Sequence, residues 1–292
     1  MAFKIVLTET NSPFARALLR ELEHHTFAVV LPTSAEQQAV ETGVLVDTRA
    51  YAGLSLEAVS DPLEAWGLPI IHISSGEVFQ GAAASGGGFV ELDTPTATSS
   101  RALSLIEAEM RALARSKTLV LRLPLLVDLG AEDWFAALLE RLSAEAVLSV
   151  SETTRLDPVC IKEACRVVIA MVQQIACGAE NWGVMHLRSA EPCFEAEFAD
   201  HLVRQLKKDG WPAARLDVTK GLGVYGGTMA VLAGRRLTDA FGVQMRSWRL
   251  GVKALLQRWI DERRQLALPL TGQDNQNSEP QVGSAPSSRA AP

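Results

Sequence analysis

The stretch FKIVL-TETN-SPFA, residues 3–15, decides the fold of this chain. Its first five residues are mostly apolar and β-prone, which predicts a strand. Ser12 is a suitable helix N-cap, and Pro13 suits the first helical position because its missing N–H would have no partner there. Apolar residues then recur at helical spacing at Ala15, Leu18, Leu19 and Leu22. The stretch therefore predicts a strand, a tight turn and an amphipathic helix.

The same alternation of strand and helix continues along the chain. Further short apolar runs lie at residues 27–31, 43–47, 70–75 and 118–123. Near-continuous apolar strands separated by helical stretches are typical of parallel strands buried on both faces. We therefore predict an α/β protein with a doubly wound parallel sheet.

Composition narrows the functional classes. The chain has 292 residues, of which 48% are hydrophobic, so most of it can bury a core. Its formal net charge of −6 argues against nucleic-acid binding, and no apolar run approaches the ~20 residues of a membrane helix. The first residues do not have the form of a signal peptide. We expect a cytoplasmic protein that binds neither nucleic acid nor membrane.

Three further features carry smaller predictions. The four cysteines form no CxxC pair and have no histidine at ligand spacing, which predicts reduced thiols and no metal site. Residues 81–88 are rich in glycine and alanine, which predicts a flexible loop. Residues 268–292 are rich in Pro, Gln, Asn, Ser and Gly, which predicts a disordered tail.

A set of short segments resembles one known family when the segments are taken in order. They are KIVLT at 4–8, HISSGEVFQG at 72–81, ELDTP at 91–95, LVLRLP at 119–124, GVMH at 183–186, EFA at 197–199 and RL…FG…W at 236–248. Together they resemble the extended short-chain dehydrogenase/reductase family, in its dTDP-4-dehydrorhamnose reductase, or sugar-nucleotide-binding, branch. The resemblance covers nearly the whole folded part of the chain.

The resemblance implies a fold and an activity. It implies a Rossmann-like NAD(P)-binding-type domain at residues 1–150 and a smaller C-terminal substrate-type lobe at residues 151–267, whose helices interleave with the first domain. It also implies reduction of a nucleotide-linked keto-sugar by NADPH or NADH.

The phosphate-binding turn departs from the family pattern. The family's GxxGxxG glycines fall on Glu9, Ser12 and Ala15. Glycine lets backbone approach a pyrophosphate, whereas Glu9 would place a carboxylate beside it. Two like charges ~4 Å apart cost about 4 kcal/mol at an effective dielectric of ~20. Thr8, Asn11 and Ser12 remain as degenerate cofactor-binding positions, with Glu9 unfavourable.

The catalytic centre that the resemblance implies is also incomplete. The family uses a Ser or Thr, which falls on Ser75, together with a YxxxK pair. Counting forward from the ELDTP segment puts the Tyr and Lys on Ser99 and Leu103. Counting back from EAE at residues 107–109 puts them on Arg101 and Leu105. Neither alignment supplies a phenol or an amine.

No other residue replaces the missing acid in the sequence. The two tyrosines, Tyr51 and Tyr225, have no lysine four residues later. Serine is a poor general acid at neutral pH, and loss of a positioned acid costs roughly 10²–10⁴-fold in rate. Ser75 has an alternative role, as a strand-end hydroxyl bonded to backbone.

Other positions at which the family contacts a nucleotide also carry different residues. Arg49 lies in VDTRAY, residues 46–51, where the family has a small residue, and residues 31–34 offer no acid or arginine for a ribose. Residues 61–66 resemble a shortened remnant of a family helix. Arg235 and Arg236 fall near the family's nucleotide-sugar cleft, which suggests a substrate-binding role.

A basic helix near the C-terminus has two interpretations. Arginines and lysines alternate with apolar residues between residues 246 and 264. Such a helix packs its apolar face on the domain, or it binds an anionic ligand or a partner.

Two functions remain open. The first is a catalytically inactive relative that acts as a binding, regulatory or scaffold protein, with no cofactor and with a protein partner, a second copy or a nucleotide sugar as its ligand. The alternative is an active NAD(P)H-dependent reductase of a nucleotide-linked keto-sugar.

Overall fold

The computed structural model describes residues 3–31, 40–54, 67–83, 86–130, 133–225 and 230–267. The central sheet contains six parallel strands: β1 (Lys4–Leu7), β2 (Ala28–Val30), β3 (Gly43–Asp47), β4 (Ile70–Ser75), β5 (Thr118–Leu123) and β10 (Gly183–His186). Their order across the sheet is β10-β5-β4-β3-β1-β2. Five of them confirm the predicted strands to within one residue at each end. The sixth, β10, was not predicted as a strand.

Helices cover both faces of this sheet, which confirms the doubly wound, Rossmann-like fold. They are α1 (Pro13–Leu22), α2 (Ser100–Leu113), α3 (Trp134–Ala144), α4 (Ile161–Ala176), α5 (Glu195–Lys208), α6 (Arg236–Phe241) and α7 (Trp248–Ala267). Ser12 caps α1 as predicted, since its Oγ accepts the N–H of Ala15 at 3.1 Å. Ser99 caps α2 in the same way, through the N–H of Ala102 at 3.2 Å.

One face of the sheet, here called the apolar face, packs against α1 and α4. Side chains alternate between faces along a strand, and in-register partners of parallel strands share a face. The residues of this face are fully buried in one core with both helices: Ile5, Leu7, Val44, Val46, Ile71, Ile73, Leu119, Leu121, Leu123 and Met185. No charged group interrupts these strand positions.

The opposite face, here called the polar face, has a different composition. Its carboxyl half carries buried polar side chains from four neighbouring strands: Asp47, His72, Ser74, Arg122 and His186. Helix α2 covers this face and supplies Glu109, which forms an ion pair with Arg122. The same sheet therefore has a hydrocarbon core on one side and a hydrogen-bonded polar layer on the other.

The second lobe has its own core. It contains β6 (Leu125–Val127), β7 (Val147–Ser151), β8 (Arg155–Leu156), β9 (Pro158–Cys160), β11 (Cys193–Phe194) and β12 (Arg215–Thr219), paired as β6–β9, β7–β12 and β8–β11. Trp248, Phe198 and Phe135 are buried at its centre. The two lobes interleave, because α4 and β10 follow residue 150 yet belong to the layers of the main sheet. The boundaries at residues 150 and 267 stay a prediction.

Helix α7 passes close to Cys160 at its residue Gly251. A Cβ on Gly251 would lie only 2.4 Å from Cys160 Sγ, so a glycine is needed there. All four cysteines are free thiols; three are buried, and Cys177 is exposed.

Several predictions lie outside the described residues. They concern the disordered tail at 268–292, the shortened helix at 61–66, residues 32–34, and residues 84–85 of the glycine-rich loop. In the described part, no helix has both the length and the hydropathy needed to cross a membrane. No group of His, Cys, Asp and Glu within those ranges has the arrangement of a metal site.

Candidate functional site

The candidate site lies at the carboxyl edge of the central sheet, between β1 and β3. From β1 the chain goes to β2 on one side, and it later continues through β3 on the other. In doubly wound sheets, ligands bind at such a reversal of strand order, beside the carboxyl ends of the strands. The predicted positions Thr8, Glu9, Asn11 and Ser12 follow β1, and Ser75 ends β4, so they all lie along this edge.

The turn after β1 is filled by its own carboxylate. Glu9 Oε2 accepts the N–H groups of Asn11 at 2.7 Å and Ser12 at 2.9 Å, and Glu9 Oε1 accepts the hydroxyl of Ser12 at 2.5 Å. Backbone N–H groups at a helix N-terminus are the donors that bind phosphate in this kind of fold. The side chain of Glu9 is therefore turned inward, onto the donors that a pyrophosphate would use.

The residues of this turn do not fit a dinucleotide pyrophosphate in the observed conformation. Two of the N–H donors are already paired with an acid, and that acid would repel a second negative group. The Glu9 side chain is turned toward these donors and not outward.

Thr8, the second predicted cofactor contact, belongs to a buried cluster around Asp47. Its Oγ1 donates to Asp47 Oδ1 at 3.0 Å and accepts the N–H of Thr48 at 3.1 Å. Arg49 Nε donates to the same carboxylate at 2.9 Å, and Nδ1 of His72 lies 3.1 Å from its other oxygen. The guanidinium of Arg49, bulky where the family has a small residue, is thus used inside the protein.

The charge of Asp47 is stabilised by this cluster. Burial alone would raise the pKa of Asp47, but hydrogen bonds and charges from His72 and then Arg49 outweigh it. The pKa of Asp47 is therefore held well below its usual range. A fully buried carboxylate, paired in this way, is fixed in its ionised form at neutral pH.

Ser75 is engaged in local structure. It caps the single 3₁₀ turn Gly76–Val78, because its Oγ accepts the N–H of Glu77 at 3.2 Å. The same hydroxyl donates to Glu77 Oε1 at 3.2 Å. This geometry agrees with a strand-end hydroxyl; its catalytic role stays a prediction.

Under the second alignment, helix α2 places the Arg101 guanidinium where the family has its catalytic phenol. Arg101 Nε donates to Glu77 Oε2 at 3.0 Å, and its other nitrogen donates to the carbonyl of Tyr51 at 2.8 Å. Leu105, one turn further on, is buried in the core. Under the second alignment, both catalytic positions therefore hold residues that serve structure.

The two tyrosines are weak acids in this protein. Burial, followed by the negative charge of Glu77, raises the pKa of Tyr51 well above its usual range. The same two causes raise the pKa of Tyr225 to about 12. A higher phenol pKa makes proton donation at neutral pH less favourable. Neither tyrosine has the environment of a catalytic acid.

Arg235 and Arg236, the predicted substrate contacts, lie at the start of α6. The guanidinium of Arg236 donates to the carbonyl of Trp182 at 3.2 Å, and its backbone N–H donates to Glu91 at 3.2 Å. Trp182 immediately precedes β10, so this guanidinium lies toward the amino edge of the sheet, away from Ser75. Arg235 is exposed. Their role toward a nucleotide stays a prediction.

Sequence reasoning missed a second buried network on the polar face. Glu109 Oε2 accepts from Arg122 at 2.7 Å, and Oε1 accepts from Arg122 at 2.9 Å and from Ser74. Arg122 also donates to Nε2 of His186 at 3.3 Å, so His186 carries its proton on Nδ1. The only signal in the sequence was a charged residue inside an apolar strand.

A family model described as RmlD substrate binding domain matches residues 15–260. The chain belongs to the RmlD substrate-binding domain family. This confirms the resemblance to the dTDP-4-dehydrorhamnose reductase branch. A search of curated protein sequences finds no match.

Solved structures share the fold of this RmlD-family chain. A dTDP-4-dehydrorhamnose reductase from Clostridium acetobutylicum is 15% identical, with a TM-score of 0.70, over 88% of this chain and 100% of that one. The Bacillus anthracis dTDP-4-dehydrorhamnose reductase, in complex with NADP, is 17% identical, with a TM-score of 0.65, over 90% of this chain and 100% of that one. MoeE5, in complex with UDP-glucose and NAD, is 17% identical, with a TM-score of 0.65, over 90% of this chain and 100% of that one. At these identities the likeness shows the fold.

Proposed function

We propose that this RmlD-family chain is a catalytically inactive relative of the nucleotide-sugar reductases, acting as a binding, regulatory or scaffold protein without a nicotinamide cofactor. The observation that carries the proposal is the inward Glu9 carboxylate, which accepts three hydrogen bonds from the turn. A pyrophosphate would have to displace a covalently attached competitor that is always present.

The missing proton donor supports the same proposal. Under the second alignment, Arg101 and Leu105 serve an ion pair and the core, and under the first, Ser99 caps α2. Both tyrosine pKa values are raised. Ser75 already caps the turn that follows β4. Cofactor binding and proton transfer are lost through different residues. A substitution that restored cofactor binding would therefore still leave the protein without a proton donor.

Calorimetry with NADPH and NADH tests the cofactor part. We expect no binding by the wild-type protein at micromolar concentrations and measurable binding by Glu9→Gly, which frees the turn's N–H groups. Glu23→Gly at the C-cap of α1 is the matched control, because it removes the same charge at a distance from the turn. Micromolar binding by the wild-type protein would reject the proposal.

The alternative function is an active reductase of a nucleotide-linked keto-sugar. It is favoured by family membership and by the retained Ser75 at the end of β4. It requires Glu9 to leave the turn and another group to supply the proton. Steady oxidation of NADPH with dTDP-4-dehydrorhamnose, abolished by Ser75→Ala, would establish it. No oxidation across a panel of keto-sugars would exclude it.

A nucleotide sugar is the small ligand that we propose for the cleft, on the precedent of MoeE5 with UDP-glucose. We place the protein in the cytoplasm and retain the domain boundaries at residues 150 and 267 as part of the proposal. Titration with UDP-glucose and with a dTDP-sugar, in the absence of NADPH, tests this ligand class. Absence of binding would leave a protein partner as the ligand.

Three arginines of the basic helix α7 are paired with carboxylates of other segments. Arg249 pairs with Glu191, Arg258 lies 3.7 Å from Asp128, and Arg263 pairs with Glu140. These contacts agree with a helix that packs on its own domain. Loss of a co-purifying partner on truncation before Arg246 would instead assign binding to α7.

A further inference from the structure

Two cavities lie side by side along helix α7, and none of the described residues that line them belongs to the candidate site. The first, of about 460 Å³, lies between the second half of α1 and the first half of α7. The second, of about 350 Å³, lies between the start of α4 and the start of α7. Glu21, Lys162 and Gly251 line both of them. We refer to the two neighbouring cavities together as the α7 groove, which one elongated ligand would span.

The size and the lining of the α7 groove are those of a ligand site. Small-molecule cavities measure roughly 300–1,000 Å³ and are lined mainly by apolar side chains, with a few polar groups at defined places. The first cavity is lined by small and aliphatic residues from several elements: Ala17, Val127, Ile161, Gly251, Ala254 and Leu255. Leu250 lines the second cavity and is 70% exposed, so apolar surface there is open to a ligand.

The charged side chains divide the α7 groove into a balanced part and a positive part. Around the first cavity, with His24 counted as neutral, the cations equal the carboxylates: Arg20, Lys162 and Arg258 against Glu21, Glu23 and Asp128. Around the second cavity, the cations outnumber the carboxylates: Lys162, Arg166 and Arg246 against Glu21 and Glu163. A ligand with an apolar body and one negative end matches this division.

The unmatched positive charge of the second cavity belongs to Arg246. Glu163 forms an ion pair with Arg166 at 2.7 Å. Glu21 lies 3.4 Å from Lys162, so both carboxylates of this cavity are engaged. The backbone N–H of Arg246 donates to Glu163 at 3.1 Å, but its exposed guanidinium forms no hydrogen bond or ion pair with a described residue. This guanidinium is therefore available to an anion.

We propose that the α7 groove binds a free single-chain fatty acid, with its carboxylate at Arg246 and its hydrocarbon chain in the first cavity. The positive second cavity attracts the carboxylate, and the apolar first cavity removes the chain from water. An unbranched chain suits a groove whose two cavities adjoin at Gly251. The inference goes beyond the proposed function, because it concerns a second ligand in a different part of the fold.

Calorimetry of the wild-type protein with decanoate, octanoate and decyltrimethylammonium, all below micelle formation, tests the proposal. Each methylene removed from water tightens binding about fourfold, so decanoate should bind about 15-fold more tightly than octanoate. Non-specific adsorption to a chain of net charge −6 favours the cationic probe, whereas the α7 groove should favour decanoate. UDP-glucose should not compete with decanoate, whether or not UDP-glucose binds at the candidate cleft.

Two pairs of variants locate the ligand. Arg246→Gln should weaken decanoate binding about fivefold, as the loss of an exposed ion pair does. Its control, Arg111→Gln on α2, should leave binding unchanged. Ala254→Trp fills the first cavity and should weaken binding about tenfold or more. Gln257→Trp is its matched control, since Gln257 is exposed on α7 and lines neither cavity.

The wild-type protein alone can overturn the proposal, even if Ala254→Trp does not fold. A decanoate analogue with a photoreactive diazirine on its chain should crosslink to residues 17–24 and 250–258, as read by mass spectrometry of the digested protein. Absence of decanoate binding would refute the proposal. So would equal affinity for octanoate, equal or tighter binding of decyltrimethylammonium, or crosslinks confined to peptides outside the α7 groove.

Discussion

The two faces of the central sheet solve the same packing problem with different chemistry. On the apolar face, aliphatic residues pack against α1 and α4 with no charged side chain in the strands, and the polar Ser75 lies only at the end of β4. On the polar face, the carboxyl half carries Asp47, His72, Ser74, Arg122 and His186, all buried. Aliphatic packing tolerates exchange of similar volumes, whereas a buried polar layer needs every partner in place.

The two faces have different roles: the apolar face forms the core of the fold, and the polar face leads to the candidate site. The apolar face is the hydrocarbon interior that any doubly wound sheet requires. The polar face ends at the edge where Thr8 and Ser75 lie, and its residue Asp47 fixes the Thr8 side chain by a hydrogen bond. In this chain, polar groups at the switch point bind one another.

Removing one member of the buried ion pair should have the largest effect on stability. Arg122→Met leaves the charge of Glu109 buried without a partner, which costs about 3–5 kcal/mol. Arg111→Met, in an exposed pair with Glu107, should cost less than about 1 kcal/mol. Urea unfolding followed by tryptophan fluorescence measures both. Equal costs would mean that the polar face is not held by this pair.

A cavity in the apolar face should have the next largest effect. Leu121→Ala removes a fully buried side chain from the core that the apolar face shares with α1 and α4, and we expect a loss of about 2–5 kcal/mol. Leu103→Ala on the exposed side of α2 should change stability by no more than about 0.5 kcal/mol. The same unfolding assay applies. A loss below 1 kcal/mol at Leu121 would show that this face can collapse.

A matched pair of threonines tests hydrogen bonding on the polar face. Thr8→Val removes a bond to the ionised Asp47 and should cost about 1.5–3 kcal/mol. Thr48→Val removes a buried hydroxyl that has no partner among the described residues, so it should be neutral or slightly stabilising. Similar losses in both variants would assign the effect to shape rather than to the bond to Asp47.

Acid should destabilise the polar face through Asp47, whereas the aliphatic strand residues of the apolar face do not titrate. The lowered pKa of Asp47 means that its stabilisation is present above its ordinary pKa of 3.8. It is lost as pH falls from there toward the lower folded-state value. The free energy of unfolding, measured from pH 5 to pH 2, should fall more steeply in the wild-type protein than in Asp47→Asn. Parallel curves would contradict the role of Asp47.

The fold could be predicted from the sequence to a large extent. Five strands and the cap at Ser12 follow from apolar runs and local hydrogen bonding, which depend on neighbours in the sequence. Strand β10 was missed because GVMH is short and its burial depends on pairing with β5, more than sixty residues away. Family membership was predicted from the order of weak segments and is confirmed by the family model over residues 15–260.

For the candidate site, the sequence predicts which family residues are missing, but not which contacts the residues present would make. Substitution of the turn glycines is visible in the sequence, but the inward direction of Glu9 depends on a rotamer that one sequence does not specify. Asp47 and Arg49, two residues apart, could have suggested an ion pair. Their link to His72, and the link between Glu109 and Arg122, need the register of strands and the position of α2.

The close crossing of α7 over Cys160 makes that thiol a natural reporter. The sulfur lies beneath Gly251, and burial raises its pKa to about 12, so both access and ionisation are suppressed while the helix is docked. Cys177 is exposed to solvent, so we expect it to be labelled first. The delay between the labelling of Cys177 and that of Cys160 therefore measures the rate at which the C-terminal helix detaches, and mass spectrometry can follow it without an engineered tag.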